Sequence, residues 1–88
     1  MNQSQMKMEN RSKASLSVRM QKRVAEMATS LLTEEYRVMC KVKLRNIYFM
    51  KLRHLYNGNV ITIIGNTQTR KIRLLRNGRE RHTETLDE

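Results

Sequence analysis

From residue 14 onward the apolar side chains recur as Leu16, Met20, Val24, Met27, Ala28 and Leu31, the i, i+3, i+4 spacing of one helical face. Arg19, Lys22, Arg23 and Glu26 occupy the other side, so this segment predicts an amphipathic helix with one stripe to bury. Ser12 or Ser15 can cap its start. Ahead of it, residues 1–13 mix Asn, Gln, Ser, Lys and Met without a period and read as a mobile arm.

The period changes in residues 33–56. Turned at about 100° per residue, their apolar side chains spread around the whole circumference and leave no polar face. Counted at period two they separate: Tyr36, Val38, Cys40, Val42, Leu44, Tyr48, Met50, Leu52 and Tyr56 hold the even positions, interrupted by Asn46 and His54. Arg37, Lys41, Lys43, Arg45, Lys51 and Arg53 fall on odd positions with Met39, Ile47, Phe49 and Leu55. That is strand alternation, apolar on one side and basic on the other. Thr33-Glu34-Glu35 resembles a capped helix start, which keeps a second helix over 33–56 as the alternative.

Asn57-Gly58 is a strong signal for a tight hairpin into the β-branched run 60–64. A turn centred there sets Tyr56 opposite Asn59, His54 opposite Ile61 and Leu52 opposite Ile63. Gly65-Asn66 reads as a second turn, 69–76 as a further strand carrying Ile72 and Leu74, and Asn77-Gly78 as a reversal into 79–86. The expected fold is α+β: one N-terminal amphipathic helix packed on a small antiparallel β-meander, within a single domain over 14–86 that is followed by an acidic C-terminal end at 87–88. A helical hairpin followed by a β-hairpin wing is the alternative. In the meander Tyr36, Val38, Val42, Leu44, Leu52, Ile61 and Ile63 would lie under the helix, Cys40 on that apolar side would be a small buried hydrophobe, and the odd face would be left to solvent.

Charge adds function to this outline. The 88 residues carry a net charge of +10, and its distribution is uneven. Between Glu35 and Glu80 there is no acidic residue, yet that stretch holds eleven cations. A surface made only for solubility would intersperse both signs, because crowded like charges repel. Clustered Lys and Arg are the electrostatic footprint of phosphate backbones. The candidate nucleic-acid-binding residues are therefore Lys41, Lys43, Arg45, Phe49, Lys51, Arg53, Arg70, Lys71, Arg73, Arg76 and Arg79. Phe49 is the ring that would stack on a base of a single strand; a second buried layer or a homodimer interface is its other reading. Residues 69–86 could also lie in a duplex groove as a ribbon. DNA and RNA remain equal candidates, and an acidic protein surface is the alternative partner.

Other chemistry finds no purchase. His54 and His82 have no Cys, Asp or second His at ligand spacing, so no metal or other cofactor is expected. With three glycines there is no phosphate loop, and no nucleophile has a base at a recognisable spacing, which points away from an enzyme. One cysteine rules out an intramolecular disulfide. The N-terminus lacks the apolar run of a signal peptide and no stretch reaches the roughly 20 apolar residues of a membrane span, so an intracellular, cytoplasmic, nucleoid or nuclear protein is expected. The acids of the C-terminal segment read as solvated, with a fold back onto the basic face as the alternative.

Overall fold

The structure, a computed structural model, describes the backbone of residues 2–86 and the side chains of residues 16–86. The arm expected over 1–13 and the acidic end at 87–88 lie outside the residues described with side chains. A helix, α1 (Asn2–Leu32), precedes five strands: β1 (Tyr36–Leu44), β2 (Ile47–His54), β3 (Val60–Asn66), β4 (Lys71–Arg76) and β5 (Arg79–Thr85). The strands form one antiparallel sheet in the order β1-β2-β3-β4-β5, a meander. The α+β expectation therefore holds, and the helical alternative for 33–56 does not. Its alternation splits into two strands at Arg45-Asn46, where Leu44 pairs with Ile47 and Arg45 takes a φ of 44°. Among the described residues no helix is long and apolar enough to cross a membrane.

The helix stripe read from the sequence is the buried one. Met20, Val24, Met27 and Ala28 pack on Tyr36, Tyr48, Met50, Leu52, Ile61, Ile63 and Ile72, with Leu31 and Leu74 at the margin. Burying such side chains stabilises the domain by roughly 1.5–3 kcal/mol for each large one. At the helix C-terminus no basic residue occupies the last turn. Arg37 supplies the cation from β1, its Nη1 donating to the carbonyls of Leu32 at 3.3 Å and Tyr36 at 2.7 Å, where the dipole favours positive charge.

Three local expectations are corrected. The β2–β3 connection is longer than two residues: Leu52 pairs with Ile61 and Met50 with Ile63, because His54 Nδ1 accepts the amides of Tyr56 and Asn57, both at 3.1 Å, and folds the chain back at residues 55–58. The shift is two residues, so each side chain keeps its face. Gly65-Asn66 is the end of β3 and no turn; the reversal follows, with Asn66 Oδ1 accepting the amides of Gln68 and Thr69. Asn77-Gly78 behaves as expected, a two-residue turn with both φ positive (51° and 84°) and Arg76 opposite Arg79. Both positions need positive φ in a type I′ hairpin.

The third correction concerns β1. Its pairing with β2 slips between Val38 and Cys40, leaving Met39 as an extra residue. A bulge of this kind exchanges the faces of everything beyond it. Cys40, Val42 and Leu44 pair with Lys51, Phe49 and Ile47 and share their face, whereas Lys41 and Lys43 pair with Met50 and Tyr48 and share the helix side. Val42 and Leu44, expected under the helix, are consequently exposed; Val38, before the bulge and opposite Leu52, keeps the helix side but is exposed on the edge strand. Cys40 is exposed too.

Candidate nucleic-acid interface

The eleven candidate residues divide among four places. Phe49, Lys51 and Arg53 of β2 and Lys71 and Arg73 of β4 lie on the sheet face away from α1, as their pairing with Ile64, Thr62, Val60 and Asn66 of β3 requires. Lys41 and Lys43, carried over by the bulge, line the helix side of β1. Arg45 and Arg70 sit in the β1–β2 and β3–β4 turns with φ of 44° and 61°. Arg76 and Arg79 face each other at the tip of the β4–β5 hairpin and, with Arg81, line a shallow depression there. The odd-face cluster expected from the sequence is thus incomplete: Lys41, Lys43 and Arg45 leave it, and Lys71 and Arg73 join it from β4.

The open face has a definite layout. One row across the strands reads Val42, Phe49, Ile64, Arg73, Thr83. Lys51 is two residues along from Phe49, roughly 7 Å, and Arg73 is two strands away, roughly 10 Å, by ordinary sheet spacing. Arg53 continues the β2 side and is opposed by Arg37 of β1. Two like charges across a strand pair destabilise the sheet slightly, and Arg37 bends away to the end of α1. Phe49 and Ile64 are half-buried by their neighbours on the sheet, and α1 covers only the opposite face.

The carboxylates are distributed unequally between the faces. Glu80 is the one acid on the open face of the described strands; it accepts from Arg73 Nε at 2.6 Å, and this contact, with a hydrogen bond from Thr83, holds its carboxyl below the usual range. Glu84 points to the helix side and accepts from Arg23 Nε at 2.6 Å and Nη2 at 3.0 Å. This bidentate pair is the main reason its pKa is lowered to about 2, against the opposing effect of partial burial and with help from His82. The same pair raises the Arg23 guanidinium above its ordinary value. Among the described residues, Glu80 and Glu84 of the C-terminal segment are therefore not simply solvated: Glu80 offsets Arg73, and Glu84 ties β5 to α1. Lys51, Arg53 and Lys71 make none of the described ion pairs, although Lys71 is close enough to Glu80 to favour its ionised form.

Two further strand cations, Arg37 and Arg81, join the eleven candidates. Arg81 belongs to the hairpin-tip group because β5 slips opposite Leu74 and Leu75, a shift without a signature in residue type. His54 serves its turn, and His82 Nε2 contacts Glu84 Oε1 at 2.7 Å. Comparison with protein-family models, curated proteins and solved structures finds no match.

Proposed function

We propose that this protein binds single-stranded nucleic acid on the open face of its sheet, with Phe49 as the stacking side chain and Lys51, Arg53, Lys71 and Arg73 following the phosphates. The observation that carries the reading is the composition of that face: an aromatic ring and four cations on a surface left free by the helix, against one carboxylate. Base stacking on a protein ring is tolerant of sequence, and the cations supply affinity through counterion release. The compartment that suits it is a reducing, intracellular one, in which exposed Cys40 stays a thiol.

Arg76, Arg79 and Arg81 at the hairpin tip support a second mode, in which the β4–β5 ribbon contacts the backbone of a duplex. A titration with single-stranded and duplex DNA and RNA at two salt concentrations separates the modes. The open-face reading expects preference for a single strand, log K falling by about 0.7 per phosphate contacted, and loss of binding in Lys51→Ala/Arg53→Ala/Lys71→Ala. Equal binding by that variant would refute it. Duplex preference removed by Arg76→Ala/Arg79→Ala would transfer the site to the tip. Indifference to every oligonucleotide would leave an acidic protein surface as the partner.

A further inference from the structure

The bulge in β1 builds a second feature on the opposite side of the sheet. Because α1 rests over β2 and β3, where Met20 and Val24 meet Gly65, the far half of β1 is not covered. Between that half-strand and the helix lies a cleft of about 320 Å³. Val24 and Ala25 form its helix wall, Tyr48 and Met50 its floor, and Lys41 and Lys43 its outer rim. Such a volume is at the lower end for small-molecule sites, which run from roughly 300 to 1,000 Å³ and combine an apolar lining with a few polar groups that fix orientation.

The chemistry of the lining is asymmetric. The apolar surface lies deep, between helix and sheet, while the two cations stand side by side on one rim as alternate residues of the same strand. Lys43 Nζ is 5.5 Å from the centre of the Tyr48 ring, so the floor contributes a π-face to hold this ammonium in position. Neither lysine has a carboxylate beside it among the described ion pairs. A cleft that is mostly apolar at one end and doubly positive at the other complements a molecule that is apolar at one end and anionic at the other.

We infer that this cleft binds a small amphipathic carboxylate, its short alkyl or aromatic body lying on Tyr48 and Met50 and its carboxylate meeting Lys41 and Lys43. Val42 and Phe49 also contribute to the lining at the edge of β1, whereas the open-face cations Lys51, Arg53 and Lys71 do not. Its modest size restricts the ligand to a single ring or a short chain.

Hexanoate and its neutral isostere hexanamide are the probes, titrated into the full-length, isotope-labelled protein while backbone amide resonances are followed. Hexanoate should shift the resonances of Ala25, Lys41, Lys43 and Tyr48 in a saturable manner. Hexanamide should bind more weakly, and each of Lys41→Gln and Lys43→Gln should weaken hexanoate by about fivefold, the upper range for one exposed ion pair. Both variants alter exposed side chains, and their spectra report directly that the fold is kept. Ala25→Leu, which fills the helix wall, should abolish binding of both probes. The Lys51→Ala/Arg53→Ala/Lys71→Ala variant should bind hexanoate like the parent, which keeps failure here distinct from failure on the open face. No saturable shift at millimolar hexanoate, equal affinity for hexanamide, or shifts produced by a nucleoside monophosphate but not by hexanoate would each overturn the assignment.

Discussion

Gly65 lies directly beneath Met20: a methyl group added at Gly65 would stand 2.7 Å from Met20 Sδ and 3.3 Å from Val24 Cγ2. The helix rests on the sheet at the one position of β3 that has no side chain. Met20 fills that space and is fully buried, as are Leu52, Ile63 and Ile72 around it. Gly65→Ala should therefore destabilise the fold by about 1–3 kcal/mol through overpacking, and Gly65→Val should do so more strongly. Gly78→Ala tests a different cause, since nothing lies within 4 Å of it but its φ is 84°. Its loss should be about 1–2 kcal/mol, the backbone penalty alone. Urea denaturation of the three variants checks both.

What the sequence reveals follows from which interactions are local. The helix stripe was legible because Met20, Val24, Met27 and Ala28 obey one period and all four are buried. The Asn77-Gly78 turn was legible because its backbone needs positive φ. Gly65 read as a turn because its cause, the close approach of Met20, is forty-five residues away in the chain. The candidate site was only partly legible for the same reason. Alternation identifies the two faces of a strand, but a single bulged residue, Met39, reverses the assignment of every residue beyond it, and the sequence carries no mark of where that slip falls.

The exposed side of β1 gives that reversal a thermodynamic consequence. Val42 is 40% and Leu44 65% exposed, against 0% for Leu52. Val42→Ser and Leu44→Ser should change stability by no more than about 0.5 kcal/mol, as surface substitutions do. Leu52→Ala should cost about 2–5 kcal/mol, the range for a buried leucine. Similar losses at all three positions would mean that β1 alternates without a bulge.

The Arg23–Glu84 pair makes stability depend on pH in a defined direction. The Glu84 carboxyl has a pKa lowered to about 2 in the folded protein, chiefly by hydrogen bonds from Arg23. The folded state therefore favours the ionised form more than the unfolded chain does. The resulting stabilisation is complete above the unfolded value near 4.5 and is lost as pH falls from there through about 2. Thermal unfolding should show a Tm that declines through this window in the parent and declines less in Glu84→Gln. At neutral pH that variant should lose about 1 kcal/mol or less, because solvent screens an arginine that is 40% exposed.

Glu80 limits the open face. Its carboxylate holds Arg73 Nε at 2.6 Å and subtracts one charge from the surface proposed to meet phosphates. Glu80→Gln should release Arg73, raise affinity for a single-stranded oligonucleotide at low salt and steepen the salt dependence by up to about 0.7 in slope. The fold should be unaffected, since the pair is exposed on both sides. Fluorescence anisotropy with a labelled oligonucleotide at a series of salt concentrations measures both effects; an unchanged slope would place Arg73 outside the contact surface.

Phe49 and Lys51 lie two residues apart on the same strand face, and their contributions to binding differ in kind. Phe49→Leu keeps an apolar side chain among Val42 and Ile64 but removes the flat ring, so affinity should fall by about 1–3 kcal/mol per stacked base. The salt slope should stay the same, because no phosphate contact is lost. Lys51→Ala should do the reverse, lowering the slope by about 0.7 and weakening all sequences alike. The two changes should add when combined if ring and cation engage different parts of the ligand. If Phe49→Leu binds as tightly as the parent while the cation variants lose affinity, the ring belongs to an apolar contact with protein, and the open face grips phosphates without stacking bases.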